Sequence, residues 1–333
     1  MRPKTKVLAL AVTAALAAGP AQAACTGDDD LVAVVHVSAA SPLASSAQKG
    51  VDRLRAEGHR TSRVTPGSGE EVEAMADAAG DGAVVVVGPG SADTDLMAAL
   101  NEVAAEFPDE RFLLYDGRVV ANNITSITFR RNEAGFTAGV LAGLVTTRAD
   151  QFEFAQGTLD VALVADSDTP DVRAYLAGFA AGAHAVDPLI QVQSTFVGDS
   201  TEVDRAYDLA ATLFSANGAD VVFAAQGSVQ DGVFRAAQEA GRYAIGVAGA
   251  AGDAPGHVLA LVEERVGDAV YSTFTGLKDG TLSWGQNVVL GLAEGVVGLT
   301  YDGTGDVVPQ AVRDEVDAYS QRVVDFDIQV PES

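Results

Sequence analysis

Two doubly wound α/β lobes, each on a parallel sheet and joined by a strand hinge, are what this sequence predicts. Short apolar runs rich in β-branched residues alternate with stretches of helical periodicity from Leu31 almost to the C-terminus, the signature of βαβ units. The runs lack polar alternation, residues 83–87 being the clearest case, as in strands covered on both faces. The series then restarts after residue 129 with the same order of elements, and a chain of 333 residues exceeds the size at which one core stops growing.

Residues 31–37 read as the first strand. Ala47, Gly50, Val51 and Leu54 follow at helical spacing, as do Val72, Met75, Ala76 and Ala79, and then Leu96, Ala99, Leu100 and Val103. The strand 83–87 between the last two closes on the turn Gly88-Pro89-Gly90, and strands 111–115 and 124–129 complete the first series. The second series begins with a helix over 132–145, a strand at 161–164, a helix over 173–185 and a strand at 190–196. A helix carrying Ala206, Leu209, Ala210 and Leu213 precedes a strand at 220–223. Strands at 243–247 and 257–262 and helices over 263–278 and 310–318 remain to be shared. This reading places residues 25–128 and about 249–285 in an N-terminal lobe, and 129–248 and about 286–325 in a C-terminal lobe. No Pro/Gly/Ser-rich linker separates the halves, so the chain crosses directly between sheets. Such a hinge gathers the carboxyl ends of both sheets around a crevice, where open α/β folds bind ligands.

The first 24 residues have the layout of a secretory signal: Arg2, Lys4 and Lys6, an apolar run over 7–18, then Gly19-Pro20 and Ala21-Gln22-Ala23-Ala24. The run is too short to span a bilayer as a mature helix. Two processing routes fit. Cleavage after Ala23 frees the chain, whereas cleavage before Cys25 leaves that thiol for acylation and a lipid anchor as the sole tie to a membrane. Cys25 is the only cysteine, so an intramolecular disulfide is excluded.

The formal charge is −25, and becomes −28 once Arg2, Lys4 and Lys6 leave with the signal segment. A surface of that sign repels nucleic acid and anionic lipid, which argues against a nucleic-acid partner. The acids are dispersed rather than gathered in a tail, so solubility is the plainer reading of the charge.

Catalytic and cofactor chemistry finds little support. There is no glycine-rich phosphate loop, and His36, His59, His184 and His257 lack metal-ligand spacing. Ser46-Ala47-Gln48-Lys49 matches a Ser-x-x-Lys pattern, but its Ser-Asp-Asn and Lys-Thr-Gly partners are missing. The expectation is therefore no cofactor, no metal and no enzyme. What remains are polar residues at strand ends: Ser38, Ser41, Asp116, Asp166, Asp168, Gly227-Ser228, Gln230 and Asp253. Each alone reads as a cap or turn former; their shared position at the carboxyl edges marks them as candidates for the cleft.

Phe107-Pro108-Asp109-Glu110-Arg111-Phe112, Tyr115-Asp116, Ser126-Ile127-Thr128-Phe129-Arg130 and Glu133-Ala134-Gly135-Phe136-Thr137-Ala138-Gly139 resemble the central signature of the basic membrane protein family. The resemblance runs on through Ala177-Gly178-Phe179-Ala180-Ala181-Gly182, Asn217-Gly218-Ala219-Asp220 and Ile245-Gly246-Val247. It implies a nucleoside-type solute-binding lipoprotein of an ABC importer, with the type I periplasmic binding protein fold, a small-molecule solute and a membrane permease as partners. An extracytoplasmic sensor of the same fold, or an exported enzyme using Asp116 and Asp168 as a carboxylate pair, would be the other readings. The ligand positions that the resemblance implies are Leu43, Asp116, Ser200, Ala248 and Glu264, with Ser41, Asp168, Gly227 and Ser228 added from the strand ends. Leu43 and Ser200 stand where the family has stacking aromatics, Ala248 where it has an aspartate and Glu264 where it has a lysine; Asp116 is retained. Aromatic stacking is worth about 1–3 kcal/mol per base, and each lost hydrogen bond to ribose about 0.5–1.5 kcal/mol. These replacements point the cleft away from a purine nucleoside and towards a smaller or cationic solute.

Overall fold

The structure, a computed structural model, describes residues 31–35, 42–67, 69–88, 96–198, 203–249 and 254–333. The first series runs β1 (Leu31–Val35), α1 (Pro42–Ala56), β2 (Arg60–Val64), α2 (Glu71–Gly80), β3 (Val84–Val87), α3 (Leu96–Glu106), β4 (Phe112–Tyr115) and β5 (Ile124–Phe129). The second runs α4 (Arg131–Thr147), β6 (Asp160–Ala165), α5 (Pro170–Val186), β7 (Gln191–Phe196), α6 (Val203–Ser215), β8 (Val221–Ala224), α7 (Gly227–Ala240), β9 (Tyr243–Val247) and β10 (Val258–Glu264). The chain closes with α8 (Val266–Lys278), β11 (Asn287–Leu290), β12 (Val297–Thr300) and α9 (Gln310–Val324).

Two six-stranded sheets result, ordered β11-β5-β4-β3-β1-β2 and β12-β10-β9-β8-β6-β7. All pairings are parallel except β12 against β10. The two orders are the same permutation, so each lobe has its topological switch beside its first strand, β1 or β6. The inner strands β1, β3, β4, β6 and β8 are almost wholly buried, which is why they read as unbroken apolar runs.

The late elements are distributed differently from the sequence reading. The sequence reading puts about 249–285 in the N-terminal lobe and about 286–325 in the C-terminal one. Instead β10 pairs with β9 and β12 in the second sheet, and β11 pairs with β5 in the first. Glu263 and Glu264 look like an acidic first helical turn, yet they oppose Gly298 and Val297 in the antiparallel ladder, so α8 starts only at Val266. Strand β2 escaped notice because this edge strand, Arg-Thr-Ser-Arg-Val, carries no apolar run.

The chain passes between sheets at three places: from β5 into α4, from β10 into α8, and from β11 to β12. They are bonded to one another. The Arg130 N–H donates to the Leu290 carbonyl at 2.8 Å and the Arg265 N–H to the Val296 carbonyl at 2.7 Å. The Leu292 N–H donates to Glu133 Oε2 at 2.7 Å. Three short, mutually braced crossings form the hinge.

Helix pairs pack on glycine. In α4 and α5, a Cβ on Gly135, Gly139, Gly178 or Gly182 would meet backbone of the facing helix inside 3.0 Å. Gly50 of α1 and Gly267 of α8 make a second crossing of this kind. The family-like motifs around residues 135–139 and 178–182 thus act through close backbone approach.

A buried polar clasp fixes the far end of α4. Asp220 accepts from Thr146 Oγ1 at 2.7 Å, from the N–H groups of Gln156 and Thr158 at 2.6 and 3.0 Å, and from Thr158 Oγ1 at 3.0 Å. Truncation to Asp220→Ala orphans the buried Thr146 hydroxyl and removes the acceptor of three part-buried donors, a cost of about 3 kcal/mol, read as a lowered urea midpoint with an unchanged slope. A midpoint within error of the parent would show that the clasp carries no stability.

Candidate functional site

A cavity of about 880 Å³ opens between the lobes at the carboxyl ends of both sheets. The first lobe contributes Leu43, Ser45, Ser46 and Lys49 from α1 and Asp116 from the end of β4. The second contributes Asp171, Val172 and Tyr175 from α5, Ala225-Gln226-Gly227 at the start of α7, and Val247-Ala248-Gly249 after β9. Arg131 and Val262-Glu263-Glu264 enter from the hinge.

Local chemistry places these side chains. Thr169 caps α5 by accepting from the Val172 N–H at 3.3 Å, Pro170 follows at the first helical position, and Asp171 sits in the positive first turn. Asp116 ends β4 in the left-handed region, φ 54°, a conformation that aspartate tolerates better than most residues. Its N–H donates to the Ile127 carbonyl at 2.9 Å, and this aims the carboxylate into the cleft.

Arg131 is the centre of the arrangement. As the first residue of α4 it sets a cation against the positive end of the helix dipole, an unfavourable placement that three carboxylates offset. Arg131 bonds Asp116 across the cleft, Asp171 at 2.8 Å and Glu264 at 3.0 Å. Tyr175 Oη donates to Glu264 Oε1 at 3.0 Å. Burial pushes the Asp116 carboxyl up, more than the Arg131 guanidinium pulls it down, and Asp171 adds to the rise. Glu264 shifts the same way, with burial first, Arg131 opposing and Asp116 reinforcing. Burial and then Glu264 drive the Tyr175 phenol well above its usual range, so it remains a donor.

A family model described as ABC transporter substrate-binding protein, PnrA-like, matches residues 31–333. The chain belongs to this Bmp family. It is 30% identical over 255 residues to the CD4+ T-cell-stimulating antigen of Listeria monocytogenes, covering 71% of this chain and 68% of that one. It is 27% identical over 222 residues to basic membrane protein A of Borreliella afzelii, covering 66% and 64%. Among solved structures, an ABC transporter solute-binding protein from Conexibacter woesei superposes with a TM-score of 0.70 at 23% identity, over 91% of this chain and 98% of that one. A transcriptional activator of the comK gene from Bacillus halodurans gives 0.70 at 19% identity, over 90% and 99%. These two structural likenesses show a shared fold.

Within this Bmp-family cleft the structure brings together five of the residues singled out in the sequence: Leu43, Asp116, Gly227, Ala248 and Glu264. Asp168 is a correction. It is not among the lining residues; it lies at the surface in a two-pronged pair with Arg173, at 2.7 and 2.8 Å, and the hydrogen bonds from Arg173 hold its carboxyl below the usual range. The carboxylate pairing with Asp116 is therefore not made by Asp168, and Glu264 and Asp171 take that place around Arg131. Asp166 also stays out of the lining and accepts from Ser167 Oγ at 2.8 Å. Gln230 is buried and accepts the Val247 N–H at 2.6 Å. Ser46 of the Ser-x-x-Lys pattern accepts the Gly267 N–H at 3.1 Å, a helix-packing contact. Cys25, Ser38, Ser41, Ser200, Asp253 and the Ser228 side chain lie outside the described residues.

Sequence reasoning missed Arg131, Asp171 and Tyr175, and set Lys49 aside with the Ser-x-x-Lys pattern. Arg131 carried a legible signal, a cation at a helix start where acids are favoured.

Proposed function

We propose that this Bmp-family protein is the exported receptor of an ABC importer, capturing a small polar solute between its lobes and presenting it to a membrane permease. The observation that supports the reading is a cavity lined from both lobes beside a three-crossing hinge, since a solute seated there bonds both lobes at once and binding energy then drives closure. Export follows from the leader segment, with Cys25 as the acylation site. Among the described residues no helix is long and apolar enough to cross a membrane.

A nucleoside, the ligand class implied by family resemblance, is disfavoured by the wall itself. Leu43 stands where the family resemblance puts a stacking ring, and Tyr175, 7% exposed and tied to Glu264, is the aromatic ring among the lining residues.

Native mass spectrometry of the protein purified from its own host tests the proposal. The expected result is one non-covalently bound small molecule, an acyl mass on Cys25, and loss of high-affinity uptake of that molecule when the gene is deleted. Steady conversion of the bound molecule to a product by the pure protein would overturn the receptor reading.

A further inference from the structure

We infer that the solute carries a hydrogen-bonding cation, a primary ammonium or guanidinium, received by Asp116, Asp171 and Glu264 in the inter-lobe cavity. The inference rests on the receptor reading and names its ligand class. On that reading the solute sits in the inter-lobe cavity, and the side chains there decide its chemistry.

Charge is the first argument. The lining residues include four carboxylates, Asp116, Asp171, Glu263 and Glu264, against two cations, Arg131 and Lys49, a formal excess of two negative charges. Glu263 is matched separately by Arg265 at 3.0 Å, which leaves Arg131 and Lys49 against three acids, an excess of one negative charge. The stretches 36–41, 68, 89–95, 199–202 and 250–253 contain no lysine or arginine, so those segments bring no such cation to the cleft. Burial strengthens the demand for a counter-charge, because an ionised carboxylate with 8% of its side chain exposed, as in Glu264, is costly unless paired.

Geometry is the second argument. Asp116 comes from one lobe and Asp171 and Glu264 from the other lobe and the hinge, so a cation with several N–H donors bridges both lobes. Tyr175 Oη fixes Glu264 in place. A quaternary ammonium needs an aromatic cage, and the cleft offers no such set of rings among its lining residues. Carboxylate acceptors without rings suit N–H-bearing cations, whose charge-assisted bonds are short and directional.

Isothermal titration of the purified protein at low ionic strength tests this with 1,4-diaminobutane and agmatine against choline, ribose and inosine. The expected result is binding of the amine and guanidine probes alone, weakened by salt. Glu264→Gln and Asp116→Asn are expected to weaken it by about thirtyfold or more, as for other buried charged hydrogen-bond partners. Asp171→Lys, at a side chain 68% exposed, keeps the fold while supplying the cation internally, and it abolishes amine binding. Binding of ribose or inosine with silence from the amines overturns the ligand class and leaves the receptor reading standing. Silence from every probe overturns the cation inference, and only an additional absence of any co-purifying solute and of any uptake defect removes the receptor reading as well.

Discussion

Alanine at Gly178 or Gly139 destabilises the protein by about 3 kcal/mol, at the upper end of overpacking costs. Helix propensity alone predicts the opposite sign, a gain of about 1 kcal/mol for each exchange. The close crossing of α4 and α5 decides between them. A Cβ on Gly178 would overlap the Asn132 carbonyl, and one on Gly139 the Phe179 carbonyl, each inside 3.0 Å. Neither obstacle is a flexible side chain, so the helices themselves must part. Gly143→Ala is the control: the three atoms nearest its Cβ belong to the side chains of Val186 and Ile190 at 3.1–3.2 Å, a shortfall of a few tenths of an ångström. Urea melts of the three variants check the order. The effect extends to the cleft, because Asn132 follows Arg131 and the reciprocal contact runs from Gly135 to the Tyr175 carbonyl. Parting the helices therefore pulls Arg131 away from Asp171, and solute affinity falls with stability. A Gly178→Ala variant as stable as the parent would remove the glycine crossing from the account.

Glu264→Gln raises the stability of the empty protein at neutral pH by about 1 kcal/mol while solute binding collapses. Buried ion clusters are frequently no more stable than neutral replacements, and here Arg131 keeps two carboxylate partners after the change. Glutamine Oε1 still accepts the Tyr175 hydroxyl in place of Glu264 Oε1. The pH dependence fixes the mechanism. Burial raises the folded-state value of Glu264 above its ordinary 4.5, so its contribution to stability is fully present below that ordinary value and is lost as pH rises through the folded value. The advantage of the variant is thus widest at high pH and narrows as pH falls towards 4.5. Asp116, raised in the same way and from the same first cause, follows the same course in Asp116→Asn. Thermal melts of parent and variant between neutral pH and about pH 5 check the slope, in the window where carboxylates with raised values titrate. A variant less stable than its parent at neutral pH would show that Glu264 serves the fold. Gain of stability with loss of function is the mark of a residue held for its ligand.

The fold was legible because its signals are local. Residues 83–87 and 220–223 announce buried strands by composition, and the periodic positions of α1, α3 and α6 announce helices. Edge and hinge elements were not legible. Strand β2 is polar on its exposed faces, and Glu263-Glu264 looks like a helix start until β12 arrives from residues 297–300 to hold it extended. In the cleft, Asp116, Leu43, Gly227, Ala248 and Glu264 were found from strand ends and family-like motifs. Asp168 was misplaced because its nearest cation, Arg173 on the same helix start, competes for it at the surface.

By itself the sequence determined two doubly wound lobes, which depend on residue type and near-neighbour spacing. Tertiary structure alone decided the chemistry of the cleft. Asp116, Arg131, Asp171 and Glu264 lie up to 148 residues apart, and no periodicity relates them. They meet because three chain crossings share one hinge and because glycines let α4 and α5 touch backbone to backbone. A charge cluster is a property of distance and burial, which a sequence does not state until the chain has folded.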